Sequence, residues 1–157
     1  MANSIIEDSW EGSRVGNYRR LMRLLGVLYA LAGAWFFLAP DSVLQLINLG
    51  PKYFNLAFVI PIPADRFWLV LAVSMMAMLS ALSFLSAEDP ANRGYPFVHL
   101  LSKLVSLGGF IAMFFLYGRY FAYLVGAFVD LLLALIVLWD GFVRRPGAKF
   151  VKQKAEA

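Results

Sequence analysis

The chain contains no cysteine and a single histidine, His99. The missing thiols exclude disulfides, thiolate metal sites, iron–sulfur clusters and a cysteine nucleophile. One histidine cannot build a multi-histidine metal site or a bis-histidine haem within one copy of the chain. The sequence therefore predicts no metal ion and no cofactor held by this chain on its own.

Charge is also scarce. Only 15% of the 157 residues are charged and 61% are hydrophobic, whereas a soluble domain has about 25% charged and about 45–50% apolar residues. The formal net charge of +4 is modest, and loop lysines and arginines that set membrane orientation explain it better than nucleic-acid binding does. The composition predicts an integral membrane protein that does not bind nucleic acid.

Four apolar runs are each long enough to cross a bilayer, which takes about 20 helical residues. We predict an all-α integral membrane protein: an antiparallel bundle of four transmembrane helices, built as a single membrane domain. The ends of the chain are predicted to be a polar tail over residues 1–20 and a basic tail over 143–157. The predicted spans cover residues 21–39, 67–87, 97–117 and 120–142.

The longest connection, residues 40–66, is not an ordinary polar loop. Pro40 is expected to end the first span because it lacks a backbone donor. A short interfacial helix is predicted over residues 42–48, and Gly50-Pro51 is expected to break it. Residues 53–60 are apolar but too few to span. We expect this connection to lie on the membrane surface or to fold back over the helices, with a re-entrant hairpin as the alternative.

Lysine and arginine are distributed unevenly among the loops. Four spans place both termini on the same side of the membrane, and that side would carry the basic residues near both ends of the chain together with Arg93. The opposite side would carry only Lys52, Arg66 and Arg119. Because cytoplasmic loops are enriched in these residues, we predict that both termini are cytoplasmic and that the protein lies in a plasma or inner membrane.

Two of the predicted spans contain a charged residue, Lys103 and Asp130. An ionised side chain at the bilayer centre costs about 2.5–3.5 kcal/mol on insertion scales, so such residues are kept only where something compensates. Lys103 shares a helical stripe with His99, Ser102 and Ser106, because these residues are spaced by three or four positions. The turn between the two spans is very short, so their helices must be antiparallel neighbours.

Whether Lys103 reaches Asp130 is left open by the sequence. Counted from the predicted ends of the spans, the two residues differ in depth by about 9 Å at 1.5 Å per residue. A direct or water-bridged pair is one arrangement. In the other, Lys103 snorkels to the headgroups, and Asp130 then needs a serine of the second span, Tyr29 or another subunit as its partner.

Small and charged residues at other positions suggest further contacts. Asp65 and Arg66 precede the second span and form either a helix-start charge pair or the rim of an outward-facing pocket. Small residues let neighbouring helices approach closely, and the glycines predicted to pack in this way are Gly26, Gly33, Gly108, Gly109 and Gly126.

No motif for catalysis is present: there is no glycine-rich phosphate loop, no HExxH and no nucleophile elbow. We therefore predict a non-catalytic accessory or assembly subunit of a larger membrane complex, with intramembrane polar residues mediating contacts between helices or subunits. The expected partners are membrane lipids and either other membrane-protein subunits or further copies of the chain. The alternatives are an oligomeric carrier or channel for a proton or small solute that uses Lys103 and Asp130, and a membrane enzyme or lipid-site protein that uses His99 and Lys103 at the cytoplasmic interface.

Overall fold

The computed structural model describes residues 2–54, 57–63 and 66–143 and is helical over most of them. Two short helices connect the first long helix to the second, and a π-helical turn, Trp139–Val143, continues the last helix. The helices are α1 (Ala2–Leu38), α2 (Pro40–Ile47), α3 (Leu49–Phe54), α4 (Phe67–Glu88), α5 (Gly94–Leu116) and α6 (Phe121–Leu138).

Four of these helical segments are long and apolar enough to cross a membrane: Ser13–Leu38 within α1, all of α4 and α5, and Phe121–Val143. Large apolar side chains point outward along them, among them Leu31, Val70 and Phe115. Lipid offers no hydrogen-bond partners, so a spanning segment must satisfy its backbone internally, which a helix does. The predicted all-α bundle with four spans is confirmed.

The bundle consists of two closely packed antiparallel pairs, α1 with α4 and α5 with α6. Met22, Leu25, Leu79 and Val137 form the centre of the apolar core between the pairs. The turn from α5 to α6 is tight because Gly118 adopts a φ of +145°, a conformation that L side chains rarely reach. This turn sets α5 directly against α6.

The first helix begins earlier than the sequence indicated. It starts at Ala2, whereas residues 1–20 were predicted as a polar tail before a span beginning at residue 21. The helix continues because this stretch contains no proline, and near the membrane boundary it is already packed: the Tyr18 hydroxyl bonds Ser86 Oγ on α4. Hydropathy marks where the lipid contact begins and not where the helix begins.

The prolines of the connection also act differently from the prediction. Pro40 follows the end of α1, as expected, and it is also the first residue of α2. The predicted break at Gly50-Pro51 is wrong, because both residues lie in α3. Pro51 occupies the first turn of that helix, where a missing N–H has no intrahelical acceptor to lose.

The remainder of the connection folds back over one end of the bundle. Phe58 N–H donates to the Arg119 carbonyl (2.9 Å), and Phe121 N–H donates to the Phe58 carbonyl (3.1 Å). The Asn48 side chain bonds Ile60 twice, donating to its carbonyl at 2.9 Å and accepting from its N–H at 3.0 Å. These contacts fix the connection against the turn between α5 and α6.

Candidate functional site

Lys103 and Asp130 form a direct ion pair inside the bundle. Lys103 Nζ lies 2.9 Å from Asp130 Oδ1, and the two side chains are only 6% and 8% exposed. The helix α5 begins at Gly94, three residues earlier than predicted. Lys103 is therefore about 4.5 Å farther from the start of its helix than the sequence indicated, and its side chain is long enough to reach Asp130. Lys103 therefore meets Asp130 and does not snorkel.

Tyr29 of α1 and His99 of α5 lie beside this pair. A hydrogen bond of 2.8 Å joins the Tyr29 hydroxyl and His99 Nε2, and Lys103 Nζ lies 5.1 Å from the centroid of the Tyr29 ring, in a cation–π arrangement. Tyr29 thus contacts His99 and Lys103 and belongs to the same group of side chains. We call Tyr29, His99, Lys103 and Asp130 the buried polar cluster.

The buried polar cluster is closed off from the outside, since each of its four residues is at most 6% exposed. Its members come from α1, α5 and α6, so it connects the two helix pairs of the bundle. A carboxylate and an ammonium in direct contact, next to a phenol–imidazole bond, satisfy one another in a buried region, where such contacts are stronger than at the surface. Groups of this kind stabilise helix contacts in membranes and, in some proteins, carry protons.

His99 is more deeply buried than the sequence suggested. It was expected near the interface, but it is 1% exposed, because the early start of α5 places it more than a helical turn inside. Ser102 and Ser106 lie on the same helix and are half-buried. No side-chain hydrogen bond connects either serine to the cluster within the described part of the chain.

Three of the five glycines predicted to pack do lie against a side chain of a neighbouring helix. Gly26 faces the ring of Phe84, Gly33 faces Met76 and Gly126 faces the ring of Phe110. The other two, Gly108 and Gly109, are exposed and have no heavy atom within 4 Å of where a Cβ would lie. Neither of these two glycines therefore packs against another helix among the described residues.

Arg66 pairs with a residue that the sequence did not suggest. Its guanidinium lies 3.0 Å from Asp41 Oδ2 on α2, and both side chains are exposed, by 57% and 45%. Asp65, the other predicted rim residue, lies outside the described residues. An exposed pair of this kind contributes about 0–1 kcal/mol, so it helps to orient α2 but is not a site in itself.

An apolar groove of about 450 Å³ runs between α1 and α4 and opens outward. One end is formed by Phe84, whose ring lies on Gly26. Small residues give the groove its space, and Tyr29 and Ser80 also reach it. Its walls include Ala30, Gly33, Ala34, Val73, Ala77 and Ala81.

Within the described residues, no group of three His, Asp or Glu side chains comes close enough to hold a metal ion. No protein-family model, no curated protein and no solved structure matches the chain.

Proposed function

We propose that this protein is a non-catalytic accessory subunit of a larger complex in a plasma or inner membrane, with both termini on the cytoplasmic side. The observation that carries the proposal is the open face of α5. Gly108 and Gly109 lie in the middle of this span and are exposed, and a Cβ added at either would meet no heavy atom within 4 Å among the described residues, while the charged stripe of the same helix faces the interior.

The open face of α5, formed by Gly108 and Gly109, lowers the stability of the helix without any gain unless another helix packs against it. Each glycine weakens a helix by about 1 kcal/mol relative to alanine, and in return it lets a second backbone approach closely. Gly108 and the exposed Ala112 lie one turn apart, the small-xxx-small spacing through which transmembrane helices associate. Lys103 and Asp130 pair with each other, so neither charge needs a partner from another subunit, and the bundle can join a complex as an already folded unit.

Purification in mild detergent tests the proposal. Wild-type protein is expected to retain a larger membrane protein in fixed stoichiometry. Gly108→Leu and Gly109→Leu should lose that partner, because the leucine side chains hold the two helices apart. Ser74→Leu on α4 is the matched control: Ser74 is exposed and bonds only the carbonyl of Leu71 within its own helix, so its replacement should keep the partner.

Two results would contradict the proposal. One is wild-type protein that purifies without any other membrane protein, as a monomer or as a homo-oligomer. The other is full retention of the partner by both glycine variants.

A second candidate, a carrier for a proton or small solute, is favoured by the buried polar cluster, in which four titratable side chains are in contact. Reconstituted liposomes test it. Lys103→Met and Asp130→Asn should each abolish a flux that Tyr53→Phe, at an exposed tyrosine of α3, leaves intact. The enzyme alternative has less support, because His99 is bonded to Tyr29 and does not open toward the interface.

A further inference from the structure

Two arginines of α1 continue the line of the apolar groove. Arg19, Arg23, Gly26, Ala30 and Gly33 follow one another at spacings of four, three, four and three residues, which places them on one face of the helix. Gly26 lies under the groove's end and Ala30 and Gly33 form its wall. A molecule in the groove would therefore extend toward the two guanidinium groups.

Both arginines are exposed and no carboxylate of the described residues pairs with them, since the two ion pairs found there are Arg66–Asp41 and Lys103–Asp130. The depth of Arg23 follows from its neighbours: Tyr18 bonds Ser86, and Gly26 O accepts from Ser80 Oγ at 2.8 Å. Arg23 thus lies inside the span, level with the last turns of α4. A cation at this depth near the end of a span reaches the interface, where an anionic headgroup can pair with it.

The length of the groove fits the chain of a lipid. Its lining on α4 extends from Val73 to Phe84, about 16 Å at 1.5 Å per residue, close to half of a hydrocarbon core of about 30 Å. A helix is too bulky to fill it, because a cylinder about 10 Å across and about 16 Å long takes up roughly 1,250 Å³, well above the volume of about 450 Å³ of the groove. A single acyl chain is slender enough to lie along Ala30 and Ala34.

We infer that α1 and α4 form a binding site for an anionic phospholipid of the leaflet nearest the N-terminal part of α1. Arg19 and Arg23 bind the headgroup phosphate, for which the planar guanidinium offers paired donors. One acyl chain passes the edge of Phe84 and lies in the groove. This inference is independent of the proposed subunit function, because the site is on α1 and α4 and the open glycine face is on α5.

The chain supplies its own control at Arg20. This residue is also exposed, and it is adjacent to Arg19 along the helix. It shares its stripe, however, with Leu24 and Leu31, which are 56% and 62% exposed and lie away from the groove. A specific site distinguishes Arg23 from Arg20, whereas a general attraction between basic residues and anionic lipids does not.

Native mass spectrometry of protein from mixed micelles, with phosphatidylglycerol and phosphatidylcholine of identical chains, tests the headgroup contact. Wild-type protein should retain phosphatidylglycerol preferentially. The double variant Arg19→Gln/Arg23→Gln should bind it about 25-fold less, or about fivefold per arginine, while Arg20→Gln should change binding by less than about twofold. Equal retention of the two lipids, or an equal loss with Arg20→Gln, would overturn the inference.

The groove needs its own test. Ala34→Phe fills the groove and should reduce retention of both lipids. Ala77→Phe is a second variant that fills the groove, for use if Ala34→Phe lowers the melting temperature of the protein in detergent. Unchanged retention in a folded filling variant would overturn the acyl-chain contact. Excess inorganic phosphate should fail to displace phosphatidylglycerol; complete displacement would show that the arginines bind a free anion and not a lipid.

Discussion

At the scale of single residues, the buried charges are stable because each has a partner. Burying one charge in an apolar region is expensive, and a close opposite charge offsets that cost only when the geometry is good. Lys103 and Asp130 meet this condition at 2.9 Å. Tyr29 adds a second contact by placing its ring beside the ammonium and its hydroxyl on His99.

The Tyr29–His99 bond can be measured by removing one hydroxyl group. Tyr29→Phe keeps the ring beside Lys103 but leaves His99 Nε2 without its partner, so the free energy of unfolding should fall by about 0.6–2 kcal/mol. Tyr53→Phe is the control, because Tyr53 is 80% exposed on α3, and should have no effect. Chemical denaturation in detergent micelles measures both variants; equal stability of Tyr29→Phe and wild type would show that the bond contributes nothing.

The charged members of the cluster were predictable from the sequence, and Tyr29 only in part. A lysine or an aspartate within an apolar run is rare enough to indicate a site, and the short turn between the spans already made their helices neighbours. Tyrosine in a transmembrane helix is a weaker signal. Its contact with His99 depends on how α1 crosses α5, which is set by packing among Met22, Leu79 and Val137 and not by any local pattern.

At the scale of helices, glycine has two opposite roles in this bundle. At Gly126 a Cβ would lie 2.6 Å from the ring of Phe110, so the absence of a side chain is what lets α5 and α6 approach. At Gly108 a Cβ would meet no heavy atom within 4 Å in the part of the chain that the structure describes. The sequence marked both positions as packing glycines, because spacing alone does not show which face of α5 meets α6.

Replacing Gly108 and Gly126 by alanine, one at a time, distinguishes a glycine on an open face from a glycine in a close helix contact. Alanine favours a helix over glycine by about 1 kcal/mol, and Gly108→Ala should gain up to that amount. At Gly126 the new methyl group displaces the ring of Phe110, and overpacking costs about 1–3 kcal/mol. Thermal unfolding of the monomer in detergent should therefore rank Gly108→Ala above Gly126→Ala; the reverse order would contradict the packing of α5 on α6.

The spans were the most predictable elements, because their apolar runs are long and nothing but lipid accounts for them. The connection between α1 and α4 was predicted less well. Its short helix α2 was expected, but the bridge from Phe58 to the turn at Tyr120 was not, since it joins segments about 60 residues apart. Contacts of that range depend on the assembled bundle.

At the scale of the whole molecule, four antiparallel spans fix which loops share a side. The turn between α4 and α5 should lie with the N-terminal part of α1, and the turn between α5 and α6 should lie opposite. The chain has no cysteine, so single cysteines introduced at chosen exposed positions near the ends of the spans can be labelled without background.

Labelling of sealed membrane vesicles with a membrane-impermeant maleimide tests this topology. Ser13→Cys and Asn92→Cys should react from the same side, and Arg119→Cys should react from the opposite side. In vesicles whose outer surface is the periplasmic or extracellular one, the proposed orientation places Ser13→Cys and Asn92→Cys on the inside. These two cysteines should then react only after the vesicles are opened. Reaction of Ser13→Cys and Asn92→Cys from different sides would rule out the four-span arrangement.

The central claim is that Lys103 and Asp130 stabilise the bundle as a pair, and a double-mutant cycle on the unfolding of the whole molecule tests it most directly. Lys103→Met and Asp130→Leu should each lower the free energy of unfolding by about 3–5 kcal/mol, because each leaves an unpaired buried charge. The double variant should lose less than either single variant, since no charge remains to be compensated. Losses that simply add would contradict the pair.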